Sequence, residues 1–190
     1  MHEEPDYSQN KGFGFGQQSK GNKHSRQACP TDQSYLQSVC QNFNTQAGSR
    51  TLQKLLSTAK PQVIGVIHSY LLPQFTAVSL NLFGNYVAQK LIETADPSQL
   101  HHLACEVAGR MPDYCFNAFG CRVVLRLFEY LALDESWGIE GFADSFIEKN
   151  ILRMIKDTNA NYIVQRVIFL QPENKLRYIT ELFLRDVGSL

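Results

Sequence analysis

LFGNYVAQKLIE, residues 82–93, has near-copies in QAGSRTLQKLL (46–56), AFGCRVVLRLFE (118–129) and TNANYIVQRVIF (158–169). Gly48, Gly84, Gly120 and Ala160 stand in one register at intervals of 36, 36 and 40 residues. The four extra residues of the last interval are assigned to a loop around LDESWGIEG, 133–141. A fixed period of about 20–50 residues marks a solenoid of stacked units, and about three units are needed for stability. Apolar residues recur at helical spacing with few strand-like alternations, so the fold class is all-α. Each unit reads as three helices: one ahead of the small residue, the matched helix, and an amphipathic third. PSQLHHLACEVAGRM (97–111) and PENKLRYITELFLRD (172–186) are such third helices, with Pro97 and Pro172 suited to their first turns. The units span about 34–71, 72–107, 108–148 and 149–186.

Ahead of this array, residues 1–33 form a tail rich in Gly, Gln, Ser, Asn and Lys without Leu, Ile or Val. It cannot bury enough apolar area to offset ordering entropy and is expected to be disordered. GFGFG at 12–16 superficially resembles a nucleotide-binding glycine loop, but no strand precedes it and no helical pattern follows.

The whole chain has 190 residues, suiting one domain plus a tail rather than a multidomain enzyme, and its 18 basic and 18 acidic residues cancel. No overall charge bias points to nucleic acid or anionic lipid, so any polyanion site must arise locally. Five cysteines without a CxxC pair make a poor disulfide framework and a poor zinc site. The polar, acidic start lacks the look of a signal peptide, and no apolar run approaches the roughly 18 residues of a membrane helix. The expectation is a reduced, soluble, intracellular protein, placed in the cytoplasm.

At 100° per residue, the eight positions after each small residue divide into two faces. The third, fourth, seventh and eighth are core: Thr51, Leu52, Leu55, Leu56; Val87, Ala88, Leu91, Ile92; Val123, Val124, Leu127, Phe128; Ile163, Val164, Val167, Ile168. The first, second, fifth and sixth are mostly polar: Ser49, Arg50, Gln53, Lys54; Asn85, Tyr86, Gln89, Lys90; Cys121, Arg122, Leu125, Arg126; Asn161, Tyr162, Gln165, Arg166. An ordinary solvated surface would hold Gln, Lys and Arg but seldom matched Tyr and Asn. A nucleic-acid surface would use the flat Arg or Tyr at the second position to stack bases, at about 1–3 kcal/mol per base. Short amides and hydroxyls beside them could meet base edges. Lys54, Lys90, Arg126 and Arg166 would form a basic stripe, suited to phosphates or simply to solubility.

FGNYVAQKLIE and FGCRVVLRLFE resemble the central repeat helix of the Pumilio (PUF) family, G-N-Y-V-x-Q or G-C-R-V-x-Q, and the resemblance runs from about residue 34 to the end. It implies a right-handed α-solenoid half-ring binding single-stranded RNA on its concave face, one base per repeat. The first and fifth window residues would touch the base edge: Ser49 with Gln53 in the adenine-reading combination, Asn85 with Gln89 and Asn161 with Gln165 in the uracil-reading one. Arg50, Tyr86, Arg122 and Tyr162 would be the stacking platforms. The third unit departs from the pattern, because Leu125 replaces Gln beside Cys121 and should weaken selectivity there. With RNA antiparallel to the chain, the implied core is 5′-U-N-U-A-3′. The resemblance further implies control of messenger RNA through 3′ untranslated regions by recruited factors.

A full domain of that family carries eight repeats, including a Ser and Glu combination that reads guanine. The order here resembles the first four, so weaker, salt-sensitive binding is expected. The last unit would leave an open end for a cap, a protein co-regulator or a second copy. The competing expectation is a degenerate repeat scaffold that binds protein without specific RNA recognition. No catalytic arrangement, cofactor or metal site stands out. His68, His101 and His102 read as surface or half-buried residues, Cys105 and Cys115 as small core residues, and Glu93 and Glu129 as helix partners of Lys90 and Arg126.

Overall fold

A computed structural model of the chain describes residues 32–132, 144–170 and 184. The expected disorder of the tail, the loop at 133–141 and the helix at 172–186 with Pro172 therefore lie outside the described residues, except for Asp32 and Gln33 at the tail's end and for Leu184. Among the described residues every regular element is helical. The first unit contains α1 (Gln33–Gln41), α2 (Gln46–Thr58) and α3 (Pro61–Leu71). A 3-10 turn (Leu72–Gln74) leads to α4 (Phe75–Ser79), α5 (Gly84–Thr94) and α6 (Pro97–Ala108). The third unit supplies α7 (Met111–Cys115) and α8 (Gly120–Leu131), and the fourth α9 (Asp144–Lys156) and α10 (Ala160–Leu170). Helix α9 straddles the boundary expected at 148/149.

The four matched segments become α2, α5, α8 and α10, which pack side by side in chain order. Leu52, Leu56, Val87, Ala88, Leu91, Ile92, Val123, Val124, Leu127, Phe128, Ile163, Val164 and Val167 all belong to one continuous buried cluster. Full burial of such a side chain contributes roughly 1.5–3 kcal/mol. Thr51, Leu55 and Ile168, at the margin of the same face, are half-buried. Behind the stack, α3 adds Val63, Ile67 and Leu71, and α6 adds Leu103, Ala104 and Val107.

Close approach explains the small residues. A Cβ on Gly84 would lie 2.4 Å from the Val78 carbonyl oxygen, and one on Gly48 would lie 2.0 Å from that of Asn42. A Cβ on Gly120 would meet Tyr114 backbone at 2.8 Å. The preceding helices α4 and α7 are only five residues long and end where this approach occurs. Pro97 does open α6, where Asp96 and Gln99 cap each other reciprocally: Gln99 N–H donates to Asp96 Oδ1 (2.8 Å) and Asp96 N–H to Gln99 Oε1 (3.0 Å).

Two residues sit differently from expectation. Cys105 is exposed, because Leu103, Ala104 and Val107 occupy the inward stripe of α6 and the position between them turns outward. His68 is fully buried, with its Nε2 2.9 Å from Thr94 Oγ1 of the second unit. Cys115 is core as expected, and burial pushes its thiol up to about 12.

Candidate nucleic-acid interface

Each matched helix is aimed by a short polar residue three places before its small residue. Thr45 Oγ1 accepts from Gly48 N–H (3.1 Å). Asn81 Oδ1 accepts from Phe83 and Gly84 N–H (2.9 and 3.0 Å), Asn117 Oδ1 from Phe119 and Gly120 N–H (2.8 and 2.9 Å), and Asp157 Oδ1 from Asn159 and Ala160 N–H (both 2.8 Å). These side chains satisfy backbone donors that a helix start leaves unpaired. Thr45, Asn81, Asn117 and Asp157 are legible in the sequence at one register, yet fall outside windows that begin at the small residue.

The first window position is tied into the same loops. Asn85 is fully buried, and both its amide hydrogens are held by backbone, donating to Asn81 O (3.0 Å) and Leu82 O (2.8 Å). Asn161 donates to Asp157 O (2.7 Å), and its Oδ1 accepts from Gln165 Nε2 (3.0 Å). Ser49 is buried as well: its Oγ donates across the unit boundary to Phe83 O (2.8 Å) and accepts from Gln53 Nε2 (3.0 Å). Gln89 Nε2 lies 3.4 Å from Asn85 Oδ1. Both amide hydrogens of Asn85 are thus engaged by the loop and its Oδ1 by Gln89, which leaves the half-buried Gln89 as the accessible amide of this window. Cys121 is buried with its Sγ 3.6 Å from Ala118 O, and burial pushes its thiol up, so it presents a neutral S–H.

The second position behaves differently. Arg50 and Arg122 are exposed, Tyr86 is 45% exposed and Tyr162 57%. Arg122 Nη1 donates to Tyr86 Oη at 3.3 Å, so successive units bring these side chains together on one face. Arg50 and Tyr86 line an open cleft of about 370 Å³ between α2 and α5, with Gln46, Ser49, Gln53, Leu82 and Phe83. A similar cleft of about 350 Å³ between α8 and α10 is lined by Leu125, Tyr162, Gln165, Arg166 and Phe169. Leu82, Phe83 and Phe169 were not among the sequence candidates, since only the packing of neighbouring units reveals them. Base-edge, stacking and cleft positions are brought together here; nothing in the arrangement resembles a nucleophile with its base.

The basic stripe is an ion ladder. Lys90 pairs with Glu93, and Arg126 Nε lies 3.5 Å from Glu93 Oε1 on the neighbouring helix. Arg126 Nη1 also reaches Glu129 Oε2 (3.0 Å), whose Oε1 is 2.7 Å from Arg166 Nη2. The i,i+3 pairs match expectation, and the cross-helix pairs add to them. Lys90, Arg126 and Arg166 share two carboxylates, so this part of the stripe carries one net positive charge where the isolated cations would carry three. Lys54 is exposed and takes part in no ion pair among the described residues. No group of three or more potential metal ligands occurs among the described residues, and no described helix is long and apolar enough to cross a membrane.

Comparison with known proteins points to one family. The profile of the Pumilio-family RNA binding repeat matches residues 46–67, 74–108, 111–135 and 150–182. Pumilio homolog 9 of Arabidopsis thaliana is 25% identical over 139 residues, covering 72% of this chain and 24% of its own length. Suppressor protein MPT5 of Saccharomyces cerevisiae is 25% identical over 178 residues, 90% of this chain and 20% of its own. Among solved structures, the Puf3 RNA binding domain bound to a Cox17 RNA 3′ UTR recognition sequence superposes with a TM-score of 0.69 at 30% identity, covering 78% of this chain and 42% of that one. The chain thus spans about a quarter of the curated relatives it matches. With four profile matches, one on each matched helix, and a solenoid like that of the Puf3 domain, the chain belongs to the Pumilio family of RNA-binding repeat proteins.

Proposed function

We propose that this chain binds single-stranded RNA along the face shared by α2, α5, α8 and α10, one base per unit, with the core 5′-U-N-U-A-3′. The observation that carries this reading is the row of Arg50, Tyr86, Arg122 and Tyr162, flat and exposed beside buried residues that hold the base-edge groups in place. Such a row offers stacking at about 1–3 kcal/mol per base. Ser49 with Gln53 reads adenine at the 3′ end, and Asn85 with Gln89 and Asn161 with Gln165 read uracil. Lys54, together with Lys90, Arg126 and Arg166 on exchange of their carboxylate partners, contacts phosphates. The biological role is post-transcriptional control of cytoplasmic messenger RNA through 3′ untranslated sites, with protein co-regulators or a second copy at the far end of the array. The Puf3 domain, solved bound to a 3′ UTR recognition sequence, supports this role by likeness.

The paired double substitution Asn85→Ser with Gln89→Glu tests the register. It is expected to shift preference at the third base of the core from uracil towards guanine, read by fluorescence anisotropy on UAUA and UAGA oligonucleotides. An unchanged base preference would mean that α5 does not read the base. The scaffold reading gains from the paired cations and from Leu125, and it would be favoured if neither protein discriminated between RNAs.

A further inference from the structure

At the fifth window position three units carry an amide, Gln53, Gln89 and Gln165, while the third unit carries Leu125. Leu125 is half-buried and forms one wall of the cleft between α8 and α10. A second apolar replacement opens into the same cleft. The ninth position after the small residue is Glu93 in the second unit and Glu129 in the third, each bridging to the next helix; in the fourth unit it is Phe169, 78% exposed. Tyr162 completes an apolar surface with Leu125 and Phe169, while Gln165 and Arg166, which line the same cleft, are bonded to Asn161 (3.0 Å) and Glu129 (2.7 Å). The first-position partner, Cys121, is a buried neutral thiol directed at Ala118 O. No amide or carboxylate of the third unit's own window is left to meet a base edge.

An ordinary base seated against Leu125 and Phe169 would set Watson–Crick donors and acceptors against apolar side chains that offer no hydrogen bond, which is unfavourable. A methyl group on that edge replaces a donor by apolar surface of the kind the cleft supplies. We propose that the third subsite accepts an N-methylated base, N6-methyladenosine being the representative, in preference to the unmodified one. Resting on the proposed RNA reading, this names a ligand class for the one subsite whose residues depart from the pattern. Selectivity follows from position: at the first unit, Gln53 is poised beside Ser49 to bond the adenine edge, so the same methyl group there displaces a hydrogen bond.

The test is a fluorescence anisotropy titration of the whole chain with three labelled decanucleotides of identical flanks. They carry UAUA, the same core with N6-methyladenosine at its second base, or the same core with it at its fourth base. Burial of one methyl group corresponds to roughly fourfold tighter binding for the second-base modification. The fourth-base modification is expected to weaken binding about tenfold. Leu125→Gln should reverse the second-base preference while leaving the fourth-base penalty unchanged, with circular dichroism confirming an intact helical array. Equal penalties at both positions would overturn the methyl-accepting subsite and leave RNA reading intact. Failure of all three RNAs to bind would overturn the RNA reading itself, and the subsite with it.

Discussion

Replacing Glu129 by Gln removes the carboxylate that joins Arg126 (3.0 Å) to Arg166 (2.7 Å). Arg166 loses its ion pair, whereas Arg126 keeps Glu93 at 3.5 Å. Both pairs are about one-third exposed, so each contributes a few tenths to about 1 kcal/mol after solvent screening. The variant should therefore lose on the order of 1 kcal/mol and melt roughly 2–4 °C lower. Binding should move the other way. One additional cation available to phosphate steepens the salt dependence of log affinity by about 0.7 for a single strand. Between 50 and 200 mM salt that is a further loss of roughly 2.6-fold, superimposed on tighter binding at the lower concentration. Anisotropy titrations of UAUA-containing RNA at both salts, with thermal melts followed by circular dichroism, measure the two effects separately. If affinity and slope both stayed at wild-type values, Arg126 and Arg166 would not face the RNA backbone, and the ladder would be purely structural.

Tyr86→Ala and Tyr162→Ala should each weaken RNA binding by roughly 5- to 150-fold, the equivalent of one stacked base, while leaving the helical signal unchanged because both rings are exposed. Gly84→Ala places a Cβ 2.4 Å from the Val78 carbonyl oxygen and should cost about 1–3 kcal/mol in urea unfolding. Gly65→Ala, in the exposed interior of α3 with nothing within 4 Å, should gain about 0.5–1 kcal/mol in the same assay. Burial holds His68 below its ordinary value of 6.5, against a smaller opposing pull from Asp96. Its Nε2 is 2.9 Å from Thr94 Oγ1, whose own hydrogen goes to Lys90 O, so a second proton would land on Nδ1, which has no partner. The unfolded chain then takes up that proton first, and stability contributed by neutral His68 is present above about pH 6.5 and lost below it. The urea midpoint should fall between pH 7.5 and 5.5, and an equal fall in His68→Gln would remove His68 as the cause.

Helical periodicity was enough to locate the stack, because the fourfold register places Val87, Leu91, Val123 and Leu127 inward and Tyr86 and Tyr162 outward without reference to any other segment. It was equally enough for the i,i+3 partners Lys90–Glu93 and Arg126–Glu129, which are set by a single helix. What depends on the distance between helices was not legible. The Glu93–Arg126 and Glu129–Arg166 bridges, and the Ser49 bond to Phe83 O, exist only because adjacent units pack closely. Burial of Ser49 and Asn85 follows from the loops that fold over them, a feature no window of eight residues contains. His68 and Cys105 show the same limit, since a lone polar or small residue on an amphipathic helix gives little indication of which neighbour will cover it.

Competition between two RNAs of equal composition bears most directly on a row of base-reading side chains. A titration of UAUA-containing RNA against its scrambled counterpart, at one fixed salt concentration, should give affinities that differ by roughly tenfold or more, from three intact base-edge windows. Indistinguishable affinities would contradict sequence reading by α2, α5 and α10.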